Sequence, residues 1–136
     1  MLRGLDEIKN WLGILFLVLT FSGGCSVSDV KLDLSNNGSQ KEITRGQTLV
    51  VTLDSNPTTG YSWAVADVEK SVLRQVGDSS YQSSNSNPGV VGAGGAETFR
   101  FETASAGTTT LKMIYHRPWE TNVAPIKTFT VQVVVR

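Results

Sequence analysis

The sequence predicts an all-β fold, an antiparallel β-sandwich of about seven to eight short strands, and three observations predict it. Beyond Cys25, apolar residues almost never recur at helical spacing. Period-2 alternation returns instead in one short segment after another. Clusters of Gly, Asn and Pro separate those segments. A small barrel is the alternative closure. At 136 residues the chain has room for one domain.

The elements follow in chain order. Val30 to Leu34 places Val30, Leu32 and Leu34 on one face, and Ser35-Asn36-Asn37-Gly38 is a turn cluster. Thr48 to Leu53 is a β-branched run suited to a buried strand. Tyr61 to Val65 alternates Tyr61, Trp63 and Val65 against Ser62 and Ala64, and Val72 to Val76 is a further short segment. Asp78 to Gly95 is poor in large apolar residues and reads as a long loop with at most an edge strand. Glu97 to Thr103 sets Phe99 and Phe101 against Arg100 and Glu102. Thr108 to His116 alternates through Leu111, Met113 and Tyr115, and Ile126 to Val135 through Phe129, Val131, Val133 and Val135.

The N-terminus reads differently. Trp11 to Phe21 is uncharged and apolar over about a dozen residues, too short for a spanning helix but suited to a signal-peptide core. Ser22-Gly23-Gly24-Cys25 follows and is similar to a bacterial lipobox, with Ser22 where that motif usually has Leu. Residues 1–24 are therefore expected to be a lipoprotein-type signal peptide and 25–136 the mature domain. Cys25 would carry the lipid, palmitate included, and tether an exported protein to the bacterial envelope, facing the periplasm or the cell surface. A plain signal peptide, with a secreted product, and an uncleaved anchor with a free thiol are the alternatives. Cys25 is the only cysteine, so no disulfide is available inside the domain. About 110 residues must then be held by their core, enough for a sandwich.

Several chemistries are excluded or disfavoured. Twelve basic and twelve acidic residues cancel, with no Lys/Arg run, which removes nucleic acid as a partner. With one histidine, His116, and a cysteine at the leader junction, no His/Cys metal site can be assembled. A Ser-His-Asp triad would have to use His116 at a strand end, where a plain structural role is the simpler account. Gly92-Ala93-Gly94-Gly95 lacks the Lys-Ser/Thr and the helix of a phosphate loop. No enzyme activity, cofactor or metal is expected.

Three loops stand apart. Asn56-Pro57-Thr58-Thr59-Gly60 joins two strands; Pro57 restrains itself and Asn56, Gly60 can take positive φ, and two β-branched threonines stiffen the rest. Gly92-Ala93-Gly94-Gly95 offers a surface that another backbone can approach closely. Arg117-Pro118-Trp119-Glu120 follows a strand and places Trp and Arg, the residues most enriched in binding hot spots, in a polar loop. Taken singly, each is also explained as structure: a turn, a flexible strand entry, and a Trp folded back over the sandwich end.

Their joint order resembles the chagasin-type inhibitors of papain-family cysteine proteases, bacterial members included. NPTTG runs directly into Tyr61-Ser62-Trp63, a GxGG segment precedes an aromatic strand, and RPW closes the set at Arg117 to Trp119. The likeness covers about Val30 to Val135. It implies an immunoglobulin-like sandwich with the three loops at one end. It also implies a reversible, occluding inhibitor: Asn56, Pro57, Thr58, Thr59 and Gly60 enter the protease cleft. Val91, Gly92, Ala93, Gly94 and Gly95 line one side of that cleft, and Arg117, Pro118 and Trp119 cover the other. The partner implied is a papain-family cysteine protease bound by a monomer, with the membrane reached only through the lipid. The competing reading is a surface-anchored adhesion or envelope-assembly module that uses the same loops on another partner.

Overall fold

In β3 (Thr48–Ser55), Leu49, Val51, Leu53 and Ser55 are all buried, as a strand with one face on a core requires. The same period organises β7 (Gly95–Thr103), β8 (Gly107–His116) and β9 (Lys127–Val135), whose inward residues include Phe101, Leu111, Met113, Phe129 and Val131. A computed structural model describes residues 28–84 and 94–136. The leader, Cys25 and the expected site residues Val91, Gly92 and Ala93 lie outside the described residues. Among the described residues no helix is long and apolar enough to cross a membrane.

The remaining strands are β1 (Val30–Leu32), β2 (Gln40–Ile43), β4 (Ser62–Asp67), β5 (Leu73–Gln75) and β6 (Ser80–Ser83). One sheet runs β1-β3-β7-β5, with β6 also on β7, and the other runs β2-β9-β8-β4. The fold is all-β, as expected, with nine strands among the described residues. The sheets are mixed, however: β1 lies parallel to β3 and β2 parallel to β9. Alternation reports a half-buried face and says nothing about the direction of the neighbour, so periodicity could not foresee this. The β2 strand escaped notice for a related reason. Its residues QKEI bury only Ile43, because β2 is an edge strand whose polar side chains keep it from pairing further. The β6 strand, exposed along its whole length, is the edge strand inside the Ser/Asn/Gly-rich segment.

The first segment ends earlier than its alternation suggests. Leu34–Asn36 is a 3-10 turn, in which the Asp33 carboxylate accepts the Ser35 N–H at 2.8 Å and Asn36 Oδ1 accepts the Asp33 N–H at 2.9 Å. Gly38 follows at φ +79°, and the chain crosses to the second sheet to begin β2.

Strand register decides where the loops emerge. Ser55 pairs with Gly95, Ser83 with Gly95, Ser62 with His116 and Tyr115 with Lys127. The 56–61, 84–94 and 117–126 connections therefore leave from one pole. The first and last described residues, Ser28 and Arg136, lie at the other. Val30 pairs with Leu49 at the far end of β3, and the Arg136 N–H bonds the Ile43 carbonyl at 2.9 Å.

Candidate functional site

Asn56 to Gly60 is a single 3-10 turn tied to itself. The Gly60 N–H donates to the Pro57 carbonyl at 2.9 Å and the Thr59 N–H to the Asn56 carbonyl at 3.2 Å. Both threonine hydroxyls turn inward: Thr58 Oγ1 donates to Asn56 Oδ1 and Thr59 Oγ1 to the Asn56 carbonyl, each at 2.6 Å. Their protons are thus spent within the loop, which offers a partner two methyl groups and acceptor lone pairs. Gly60 closes the turn at φ +82°, a conformation that a side chain disfavours.

The loop is held at both ends by the opposite sheet. The Trp63 indole N–H donates to the Asp54 carbonyl at 2.9 Å, and the Asn56 N–H donates to the Tyr115 hydroxyl at 2.8 Å. Tyr115 lies between Tyr61 and Trp63, with ring centroids 5.5 and 5.1 Å away, so an aromatic stack supports the turn from below. Glu97, pointing inward from β7, accepts the Trp63 backbone N–H at 3.2 Å and the Ser79 hydroxyl at 3.0 Å.

Arg117 and Trp119 join this turn from the β8–β9 connection. Arg117 Nε donates to the Thr59 carbonyl at 3.1 Å, and its guanidinium lies 4.5 Å from the Tyr61 ring centroid. Glu120 holds the other side of the guanidinium, Oε1 to Nη1 at 3.1 Å. The Trp119 ring rests on Gly60, where a Cβ would come within 2.3 Å of Cη2. Yet Trp119 is 67% exposed. It is therefore not folded back into the sandwich but leans on the neighbouring loop with most of its ring in water. Val123 and Ile126, in the same connection, are exposed as well.

Of the glycine segment, Gly94 and Gly95 are described. Gly94 sits at φ +67°, and a Cβ there would lie 3.6 Å from the Ser55 carbonyl oxygen. Gly95 has an internal reason to lack a side chain, since a Cβ would meet the Gln82 carbonyl of β6 at 2.1 Å. The backbone that approaches Gly95 closely is thus the protein's own. His116 ends β8 opposite Ser62, and among the described residues no three His, Cys, Asp or Glu side chains group as metal ligands.

Geometry thus brings Asn56, Pro57, Thr58, Thr59, Gly60, Arg117, Pro118 and Trp119 into one surface, with Gly94 and Gly95 beside Ser55 and Asn56 at its margin. Tyr61, Tyr115 and Glu97 were missed. For Glu97 a signal existed: it shares parity with Phe99 and Phe101, and a carboxylate on the apolar face of an alternating strand asks for a reason.

Comparison with known proteins gives this surface a relationship. Residues 42–133 match the chagasin family peptidase inhibitor I42 profile. Amoebiasin-1 of Entamoeba histolytica is 33% identical over 109 residues, 79% of this chain and 100% of that protein. Chagasin of Trypanosoma cruzi is 30% identical over 93 residues, 65% of this chain and 82% of chagasin. The crystal structure of the cysteine protease inhibitor EhICP2 from Entamoeba histolytica has a TM-score of 0.70 at 25% identity, over 79% of this chain and 96% of that one. The chain belongs to the chagasin family of cysteine protease inhibitors, and its relatives are inhibitors rather than enzymes.

Proposed function

We propose that this protein inhibits papain-family cysteine proteases reversibly, by filling the active-site cleft with the Asn56–Gly60 turn. The glycine segment, Val91 to Gly95, lines one side of the cleft, and Arg117 to Trp119 cover the other. One observation carries the reading: Arg117 and Trp119 sit directly on the Thr59–Gly60 backbone, so two loops form a single rigid edge before any partner arrives. A surface already ordered loses little conformational entropy on docking, and more of the contact energy becomes affinity. No peptide bond need be offered in a reactive geometry, so the inhibitor leaves uncleaved.

Titration of papain with the purified protein tests this. Inhibition at nanomolar to micromolar concentration, with full activity regained on dilution and the inhibitor intact by mass, is the expected result. No inhibition at high micromolar concentration would move the weight to the adhesion or envelope-assembly reading.

Export and lipidation at Cys25 belong to the same proposal. The described chain starts at Ser28, by the pole opposite the loops; along β3, Leu49 and Ser55 are about 20 Å apart. A lipid at Cys25 would leave the inhibitory edge facing away from the membrane. The mass of the mature N-terminus should show a diacylated or triacylated cysteine; an unmodified Cys25 in the exported protein sinks this part.

A further inference from the structure

We infer that Glu97 is a positioning residue for inhibition: its carboxylate locks the Asn56–Gly60 turn to the strand that leaves the glycine segment. The inference rests on the three-loop reading above and adds a component outside the contact surface.

Glu97 is only 8% exposed, in line with Phe99 and Phe101 on the inward face of β7. An ionised group there loses hydration that a leucine would not, so packing alone is a poor reason for it. Among the described residues it forms no ion pair; instead each oxygen has a donor, Oε2 the Trp63 N–H and Oε1 the Ser79 hydroxyl. The two donors meet different oxygens, and an amide in the same place would turn its NH2 toward one of them. Bonds to a charged acceptor are also about twice as strong as neutral ones.

The partner matters more than the bond. The β4 strand is the outer strand of its sheet, so β8 pairs with one of its edges only. The Trp63 N–H is accepted by the Glu97 carboxylate, which reaches it from the other sheet, and without Glu97 this buried donor would lose that partner. Trp63 is also the residue whose indole grips the Asp54 carbonyl, two positions before Asn56. Glu97 therefore fixes the strand that receives the turn, and through the indole it steadies the strand that delivers it. Because Glu97 lies two residues beyond Gly95, the same side chain sets the spacing between the turn and the glycine segment. It is a brace between two inhibitory elements.

The test measures papain inhibition by wild type, Glu97→Leu, Glu97→Gln, Thr58→Ala and the Glu97→Leu/Thr58→Ala double variant, each checked for folding by circular dichroism and thermal unfolding. Glu97→Leu should stay folded yet inhibit about tenfold to a hundredfold more weakly, through faster dissociation. Glu97→Gln keeps an acceptor for Trp63 and should recover most of that loss. The double variant should lose less than the product of the single losses, because both act on one turn. If folded Glu97→Leu inhibits like wild type, or recovers as well as Glu97→Gln, the side chain only fills space and the inference is wrong. If Thr58→Ala is itself harmless, the three-loop reading fails first; if Thr58→Ala weakens inhibition and Glu97→Leu does not, the positioning role alone falls. Should Glu97→Leu not fold, Ser79→Ala replaces it. About threefold weaker inhibition supports the brace, and unchanged inhibition overturns it.

Discussion

Replacing Thr58 and Trp119 together by alanine is expected to weaken papain inhibition by about a thousandfold, roughly 4 kcal/mol, with the fold intact. Trp119 supplies the larger share. It is a large aromatic surface, 67% exposed in the free protein, and becomes valuable only when a partner covers it. Its ring is already placed by contact with Gly60, so docking does not have to select its position from many rotamers. Thr58 contributes differently. Its hydroxyl proton is held by Asn56, and its loss both trims the contact and loosens the turn. Neither side chain belongs to the core, so thermal unfolding should move by no more than a few degrees. A doubly substituted protein that is folded and inhibits as well as wild type would refute the loop mechanism.

Phe101→Ala should act in the opposite sense, destabilising the domain by about 3–5 kcal/mol while sparing the inhibitory edge. Phe101 is fully buried on β7, the strand that pairs with β3, β5 and β6. Truncating it opens a cavity between the sheets that neighbours on regular strands cannot close. The domain has no cross-link to offset the loss, since the single cysteine precedes it. Against a total stability of about 5–15 kcal/mol for a domain this size, the change is large. Denaturant titration should show a lower midpoint at unchanged slope, while inhibition per folded molecule stays near wild type because Phe101 pairs with Leu49, away from the loop pole. A loss under 1 kcal/mol would mean that the core refills the space.

Much of the candidate site was readable along the chain because its parts are local. Pro57 and Gly60 set the turn through their own dihedral preferences, and Pro118 places a Trp beside an Arg in one short stretch. Tyr115 was not readable as a site residue, and of Glu97 only its odd place on the apolar face of its strand was visible, not what it binds. Their importance lies in what they touch, the Trp63 and Asn56 N–H groups, 34 and 59 positions away in sequence. The glycines divide along the same line: a need for close approach was evident, but that Gly95 makes room for β6 could be seen only once β6 had been placed.

Alternation between apolar and polar residues was enough to specify an all-β chain and, for β7, β8 and β9, which side chains face the core, since a strand buries every second residue whatever its neighbour. The β3 strand, legible only as a β-branched run, buries Val50 as well as Leu49 and Val51. Strand direction, the polar edge strand β2, the shared pole of the loops and the resting place of Trp119 were decided in three dimensions. Each depends on register or on contacts between sheets, which join residues far apart in the chain and leave no periodic trace in it.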